Sequence, residues 1–304
     1  MSEGWKSEFC WSFSLRAHFE SCRRHYFYYR FWDRDPKNKW KLYEMRNITT
    51  LVMLRGIVVH EVIAESLRAV KTGESLSLDD AVELVTAKMR QRMRESYYRL
   101  WDISNRPPGT KQSQFTNLLE HYYGFPDTEQ RAREHRDIAQ NCIRNLLHST
   151  FWREIISTDH ERWQTIDDRP FFFNVGEFRT CAKLDFAHCH SEPTIVDWKT
   201  GHAGTDDRLQ LTFYSLCGEC KWGWDPTRTR LIAVYLYPSL EIQEFKPTTD
   251  EVDRVVSLVK ESCHQMSLLE PEPGEPADIT RFPVTDDIWN CKWCRFQGIC
   301  EGAQ

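Results

Sequence analysis

The chain has 304 residues, 40% hydrophobic and 28% charged, with a net charge of −5. That length buries a sizeable core, the balance excludes a disordered chain, and the acidic sign excludes a global attraction for nucleic acid while leaving room for a local basic groove. No apolar run is long enough to span a bilayer, and the start MSEGWKSEFC lacks a signal-peptide pattern, so an intracellular, cytoplasmic protein with no membrane partner is expected. In that reducing setting the eleven cysteines point to metal or cluster chemistry more than to disulfides, alongside ordinary buried thiols.

Ser14 is placed to cap a short helix whose end delivers Cys22, followed by the basic and aromatic run Arg23-Arg24-His25-Tyr26-Phe27-Tyr28-Tyr29. Such a run suits packing, or contact with a nucleic-acid backbone and its bases. Over residues 51–70, Leu51, Leu54, Val58, Val62 and Leu67 recur at helical spacing. His60 lies on this helix, where a lone His is more often a satisfied residue than a ligand. Residues 75–160 read as helical and charged, broken at 105–109 and 123–127. They hold no catalytic constellation and form an insertion that shapes a cleft or docks a partner.

Extended runs follow at residues 170–175, 180–187 and 195–199, with connections short enough for antiparallel neighbours. The last ends in Asp197-Trp198-Lys199 before Thr200-Gly201. Side chains alternate along a strand, so Asp197 and Lys199 share one face while Val196 and Trp198 share the other. Taken alone, Asp-X-Lys is commonest as a strand-end ion pair. Asp185, one strand earlier, changes the weighing: two carboxylates on adjacent strands converge on a divalent cation, and without one they repel. A helix at 206–221, capped by Asp206 or Thr205 with a buried stripe of Leu209, Phe213 and Leu216, puts Gln210 and Tyr214 on one face. Strands at 231–236 and 240–245, a helix at 248–268 and a stiff acidic loop at 270–276 complete this part. The chain closes with Cys291-x2-Cys294-x5-Cys300, three soft ligands in ten residues. A fourth ligand is needed, with Cys22 and Cys10 as candidates. Zinc accepts a distant Cys or His, whereas a four-iron cluster takes a thiolate.

The ordered motifs Gly56-x3-His60, Asp185, Asp197-Trp198-Lys199 and Gln210-x3-Tyr214, bracketed by Cys22 and by Cys291, Cys294 and Cys300, resemble the PD-(D/E)XK nuclease superfamily. The likeness is to its RecB-like iron–sulfur branch, which includes the AddB nuclease domain and CRISPR-associated adaptation exonucleases. It covers residues 12–300, apart from the insertion, and departs in using Asp197 where the family often has Glu. The resemblance implies an α/β fold with a mixed central sheet flanked by helices, a helical insertion, and a [4Fe-4S] cluster on Cys22, Cys291, Cys294 and Cys300 joining the chain ends. It implies one domain over 1–304: an N-terminal segment to residue 50, a motif helix at 51–70, an insertion at 71–165, the nuclease core at 166–270 and a cluster segment at 271–304.

By the same resemblance His60, Asp185, Asp197 and the Trp198 carbonyl would bind Mg²⁺ or Mn²⁺. Lys199 would orient the attacking water or stabilise the phosphorane, and Gln210 and Tyr214 would position the strand and brace the site. Tyr26, Tyr28 and Trp198 are candidates for stacking on bases. The implied activity is a metal-dependent deoxyribonuclease, an exonuclease on single-stranded DNA or DNA ends. No G-x4-G-K-[ST] loop is present, so any helicase motor comes from a separate polypeptide. Adaptation, repair or antiviral defence are the roles the family suggests. The alternatives are a nucleic-acid-binding or scaffold subunit on the same fold, recruited by a partner, and a zinc-stabilised interaction module.

Overall fold

The computed structural model describes residues 9–34, 37–272 and 275–303. Residues 1–8 of the N-terminal stretch and residues 273 and 274 of the acidic loop lie outside them. In chain order the elements are α1 (Phe13–Ser21), α2 (Arg23–Arg30), α3 (Lys39–Arg46), β1 (Ile48–Thr49), α4 (Leu51–Lys71) and α5 (Leu78–Tyr97). Next come β2 (Asn117–Leu118), α6 (Leu119–Tyr122), α7 (Thr128–Leu147), α8 (Thr150–Ile156), β3 (Trp163–Ile166), β4 (Phe171–Val175), β5 (Phe178–Ala182), β6 (Phe186–Cys189) and β7 (Pro193–Lys199). The last are α9 (Asp207–Trp222), β8 (Arg230–Tyr235), β9 (Glu241–Phe245), α10 (Thr249–Ser267) and α11 (Ile288–Lys292).

The main sheet has the order β3-β6-β7-β8-β9 and is mixed, because β7 and β8 run parallel while the other neighbours are antiparallel. Parallel neighbours need a crossover, and α9 supplies it. The alternation expected for β7 sets its two faces. Ile195 packs with Leu231, Ala233 and the α9 residues Leu211 and Phe213, whereas Val196 and Trp198 pack with Ile232, Val234 and the α4 residues Leu54 and Val58. The sheet thus lies between two helical layers, each buried on a sheet face of its own.

Local chemistry fixes the helix ends. Thr50 accepts from Met53 N at 3.2 Å at the start of α4, and both Glu120 carboxylate oxygens accept from Leu51 N, at 3.1 and 3.2 Å. A carboxylate is favoured there by the helix dipole. α9 ends at Gly223 in the left-handed region, φ 70°, where glycine carries no Cβ penalty. Thr248 and Glu251 form a reciprocal capping box on α10.

Several sequence expectations need correction. Ser12, not Ser14, caps α1. Asp206 stands before α9 but makes no capping bond, its carboxylate instead pairing with Arg16 at 3.2 Å. Leu211 takes the buried place expected for Leu209, which is only half-buried. The run 180–187 is not one strand: β4 and β5 form a separate hairpin, and the chain leaves the ladder at Lys183-Leu184-Asp185 before β6 begins. Tyr26, Tyr28 and Trp198 are core residues, 0, 5 and 3% exposed. Stacking on bases is therefore closed to them.

Candidate active site and thiol cleft

Asp185 sits in the break just before β6, and the register Phe186↔Val196 sets it beside the end of β7. Freed from the ladder, its carboxylate turns inward. Oδ2 accepts from Trp198 N at 2.8 Å, and Oδ1 lies 3.0 Å from His60 Nδ1 on α4. Gly56, one turn before His60, faces Thr200: a Cβ there would stand 3.6 Å from Thr200 Oγ1. α4 thus runs close to the end of β7.

On the other face of β7, Lys199 Nζ lies 2.8 Å from Asp197 Oδ2 and 3.2 Å from Asp207 Oδ1, and donates to Gln210 Oε1 at 2.7 Å. Gln210 Nε2 then donates to Tyr214 OH at 3.0 Å. Their spacing of four on α9 makes this relay possible. The six side chains expected at the site are thus brought together in two linked sets, His60–Asp185 and Asp197–Lys199–Gln210–Tyr214.

Two residues escaped the sequence reading. Asp207 anchors Lys199 and itself accepts from Tyr235 OH at 2.8 Å and Gly204 N at 2.7 Å. Its position three residues before Gln210, in the first turn of α9, was the available signal. Asp167 follows β3 at φ 48°, an uncommon conformation that Asp tolerates better than most residues. Its N–H donates to the Asp185 carbonyl at 2.6 Å, and its carboxylate pairs with Lys183 at 2.7 Å. His60, Asp167 and Asp185 bring three ligand atoms within 4.8 Å of one another. Only the adjacent Asp167-Asp168 pair at a strand end marked this position in the sequence.

The electrostatics follow from crowding acids in a dry site. Burial opposes ionisation of Asp185, but attraction and a hydrogen bond from His60, with the Trp198 N–H, hold it below the ordinary carboxylate range. Asp197 is pushed up to about 6 by burial and by repulsion from Asp185, despite Lys199. Burial works against a charged His60, yet the pull of Asp185, with that of Asp197 and Asp167, lifts it to about 9. Lys199 is likewise raised against its burial by Asp197 and Asp207. Asp197 Oδ2 is buried with the Lys199 ammonium nearby but no aligned hydrogen bond. A divalent cation with oxygen preference fits this donor set.

A second assembly joins distant parts of the chain. Cys22 ends α1 and caps α2, accepting from His25 N at 3.4 Å. Together with Cys291, Cys294 and Cys300 it lines a cleft of about 170 Å³. Burial and the neighbouring thiols push Cys294 up to about 12, and Cys291 shifts the same way. His25 is the residue missed here: its Nδ1 lies 3.7 Å from Cys294 Sγ, and its ring stacks on His18. Cys10 lies elsewhere, next to Cys181. Among the described residues, no three thiols come within 4.8 Å of one another.

A carboxylate–histidine–lysine site at the end of the central strand of a mixed α/β sheet is a donor set suited to metal-assisted phosphoryl transfer. The family profile of the PD-(D/E)XK nuclease superfamily matches residues 10–301, and the chain belongs to that superfamily. Its members are typically metal-dependent nucleases. A solved structure described as the crystal structure of SSO0001 is similar over 58% of this chain and 80% of its own, at 17% identity and a TM-score of 0.29. No curated protein matches at a significant level. No helix among the described residues is long and apolar enough to cross a membrane.

Proposed function

We propose that the protein is a metal-dependent deoxyribonuclease of the RecB-like iron–sulfur branch, acting as an exonuclease on single-stranded DNA or DNA ends. The observation that carries this reading is the Lys199 ammonium, held by Asp197, Asp207 and Gln210 beside the buried Asp185–His60 pair.

His60, Asp185, Asp197 and the Trp198 carbonyl are the residues that would hold Mg²⁺ or Mn²⁺, with Asp167 adjacent to them. When bound, such an ion acts as a Lewis acid toward the phosphoryl oxygens. Trp198 N–H and His60 fix the two oxygens of Asp185, so this carboxylate is oriented before any ligand arrives. Lys199 stays protonated between its carboxylates and presents positive charge where negative charge develops on the phosphate. Gln210 and Tyr214 hold that ammonium in one position. Asp207 does the same from the first turn of α9.

The four thiols around one cleft support a structural [4Fe-4S] cluster on Cys22, Cys291, Cys294 and Cys300. A cluster there ties the N-terminal helices to the C-terminal segment.

The test is cleavage of single-stranded DNA with Mn²⁺ by wild type and by Lys199→Ala, with circular dichroism to confirm the fold. Loss of cleavage in the variant alone is expected. Equal activity in the two would remove Lys199 from the mechanism.

A further inference from the structure

The loop between β3 and β4 carries an acid, Asp167, that lies outside the ordered motifs. Its side chain is 13% exposed, and its backbone is held from two sides. The N–H donates to the Asp185 carbonyl at 2.6 Å. The carbonyls of Ile166 and Asp167 accept from Arg68, about two turns beyond His60 on α4. The φ of 48° is left-handed, a conformation Asp tolerates better than most residues. The turn is thus pinned both to the segment that carries Asp185 and to the helix that carries His60.

That pinning decides which donors meet. Among the described residues, His60, Asp167 and Asp185 offer three ligand atoms within 4.8 Å of one another, and Asp197 is not in this group. Its Oδ2 instead lies 2.8 Å from Lys199 Nζ. Two carboxylates match the charge of a divalent ion, and oxygen with one imidazole nitrogen suits Mn²⁺. An outer partner is already in place, since Trp198 N–H holds the second oxygen of Asp185. An approach is open as well: Asp167 lines a cleft of about 800 Å³ with Gln164, Arg169 and Phe171.

The present partner of Asp167 is itself a cation. Lys183 Nζ lies 2.7 Å from Asp167 Oδ1, on a side chain 51% exposed. A pair so open to water contributes little to stability, and it does not account for a turn pinned in a left-handed conformation. Lys183 is also free to swing into solvent, where its charge is hydrated. We propose that Asp167 is a ligand of the divalent cation beside His60 and Asp185, and that Lys183 holds its place until the cation arrives. This rests on the nuclease reading above. It adds to that reading a ligand outside the motifs and a lysine that competes with the metal.

The test is Mn²⁺ titration of the full chain without DNA, read by electron paramagnetic resonance of the free ion. Asp167→Asn keeps the side chain's size and its tolerance of a left-handed φ. It is expected to weaken Mn²⁺ binding by at least the ~10–100-fold that losing an outer partner costs. Lys183→Met removes the competitor and is expected to tighten binding. Asp168→Asn makes the same change of charge one residue on, where the carboxylate faces Arg68 at 3.5 Å, and keeps the affinity within about twofold. Circular dichroism checks the fold; should Asp167→Asn misfold, Lys183→Met decides, and unchanged affinity there overturns the proposal. A wild type that binds no Mn²⁺, or an Asp167→Asn that loses no more than Asp168→Asn, overturns it too. Cleavage of single-stranded DNA by wild type is scored in parallel. Intact DNA with Mn²⁺ bound counts against the nuclease reading, whereas wild-type affinity in Asp167→Asn counts against the ligand alone.

Discussion

At the end of β7 the charged side chains pair with one another, whereas in the thiol cleft burial keeps the groups as uncharged thiols without ionic partners. The first site stands on a regular strand and two helices, with Lys199 shared among Asp197, Asp207 and Gln210 and Asp185 bound by His60 and a backbone N–H. The second is made from a helix junction at Cys22 and the short α11 with its following turns, and among the described residues its sulfurs receive only the N–H groups of His25 and Phe296 and the His25 ring. A prebuilt network positions reactive groups at little reorganisation cost. A set of facing thiols gains its stability from what it ligates. On the proposed reading, chemistry and cross-linking fall to different parts of one chain.

The comparison breaks most sharply through Lys199. Lys199→Ala is expected to lower the rate of DNA cleavage by roughly 10²–10³-fold or more, the magnitude of losing one preorganised charge-stabilising group. Steady-state cleavage of end-labelled DNA measures it, and Cys10→Ser serves as the near-neutral control.

The cleft responds in another observable. Cys291→Ser should lose iron and the absorbance near ~400 nm and lower the melting temperature by roughly 5–10 °C, while Cys10→Ser keeps its iron. Iron assay with calorimetry reads both. Retained iron in Cys291→Ser would remove that thiol from the ligand set.

A third contrast is in pH. His60 is raised from 6.5 to about 9 in the folded, metal-free protein. A base with a raised folded pKa adds stability that is full below its unfolded value and is lost as pH climbs through the folded one. Metal-free protein should therefore lose on the order of 1–3 kcal/mol between pH 6.5 and 9, and His60→Gln should flatten that slope. Denaturant unfolding in EDTA across this range measures it; identical slopes would contradict the pairing with Asp185. The smallest effect belongs to the outer brace. Tyr214→Phe removes one hydrogen bond to Gln210 and is expected to slow cleavage no more than about tenfold, with iron content unchanged.

The sequence made the central elements legible because their physics is local. The period-two alternation of Val196, Asp197, Trp198 and Lys199 placed each side chain on its observed face. The helical stripe Leu51, Leu54, Val58, Val62 and Leu67 is fully buried, and the helix expected at 248–268 is α10. What escaped was set by tertiary contact. Asp207 and Asp167 matter through partners far along the chain, Tyr235 and Lys183. The break before Asp185 is stabilised by Trp198 N, thirteen residues on, which no periodicity reports. The aromatic run after Cys22 fitted both core and binding surface, and burial decided for core.

The most direct measurement is cleavage of end-labelled single- and double-stranded DNA by anaerobically purified protein with Mn²⁺, beside Asp197→Ala. The account predicts products shortened progressively from an end of the single strand by wild type and none by the variant. Intact substrate with wild type, in a folded protein that retains its iron, would contradict it.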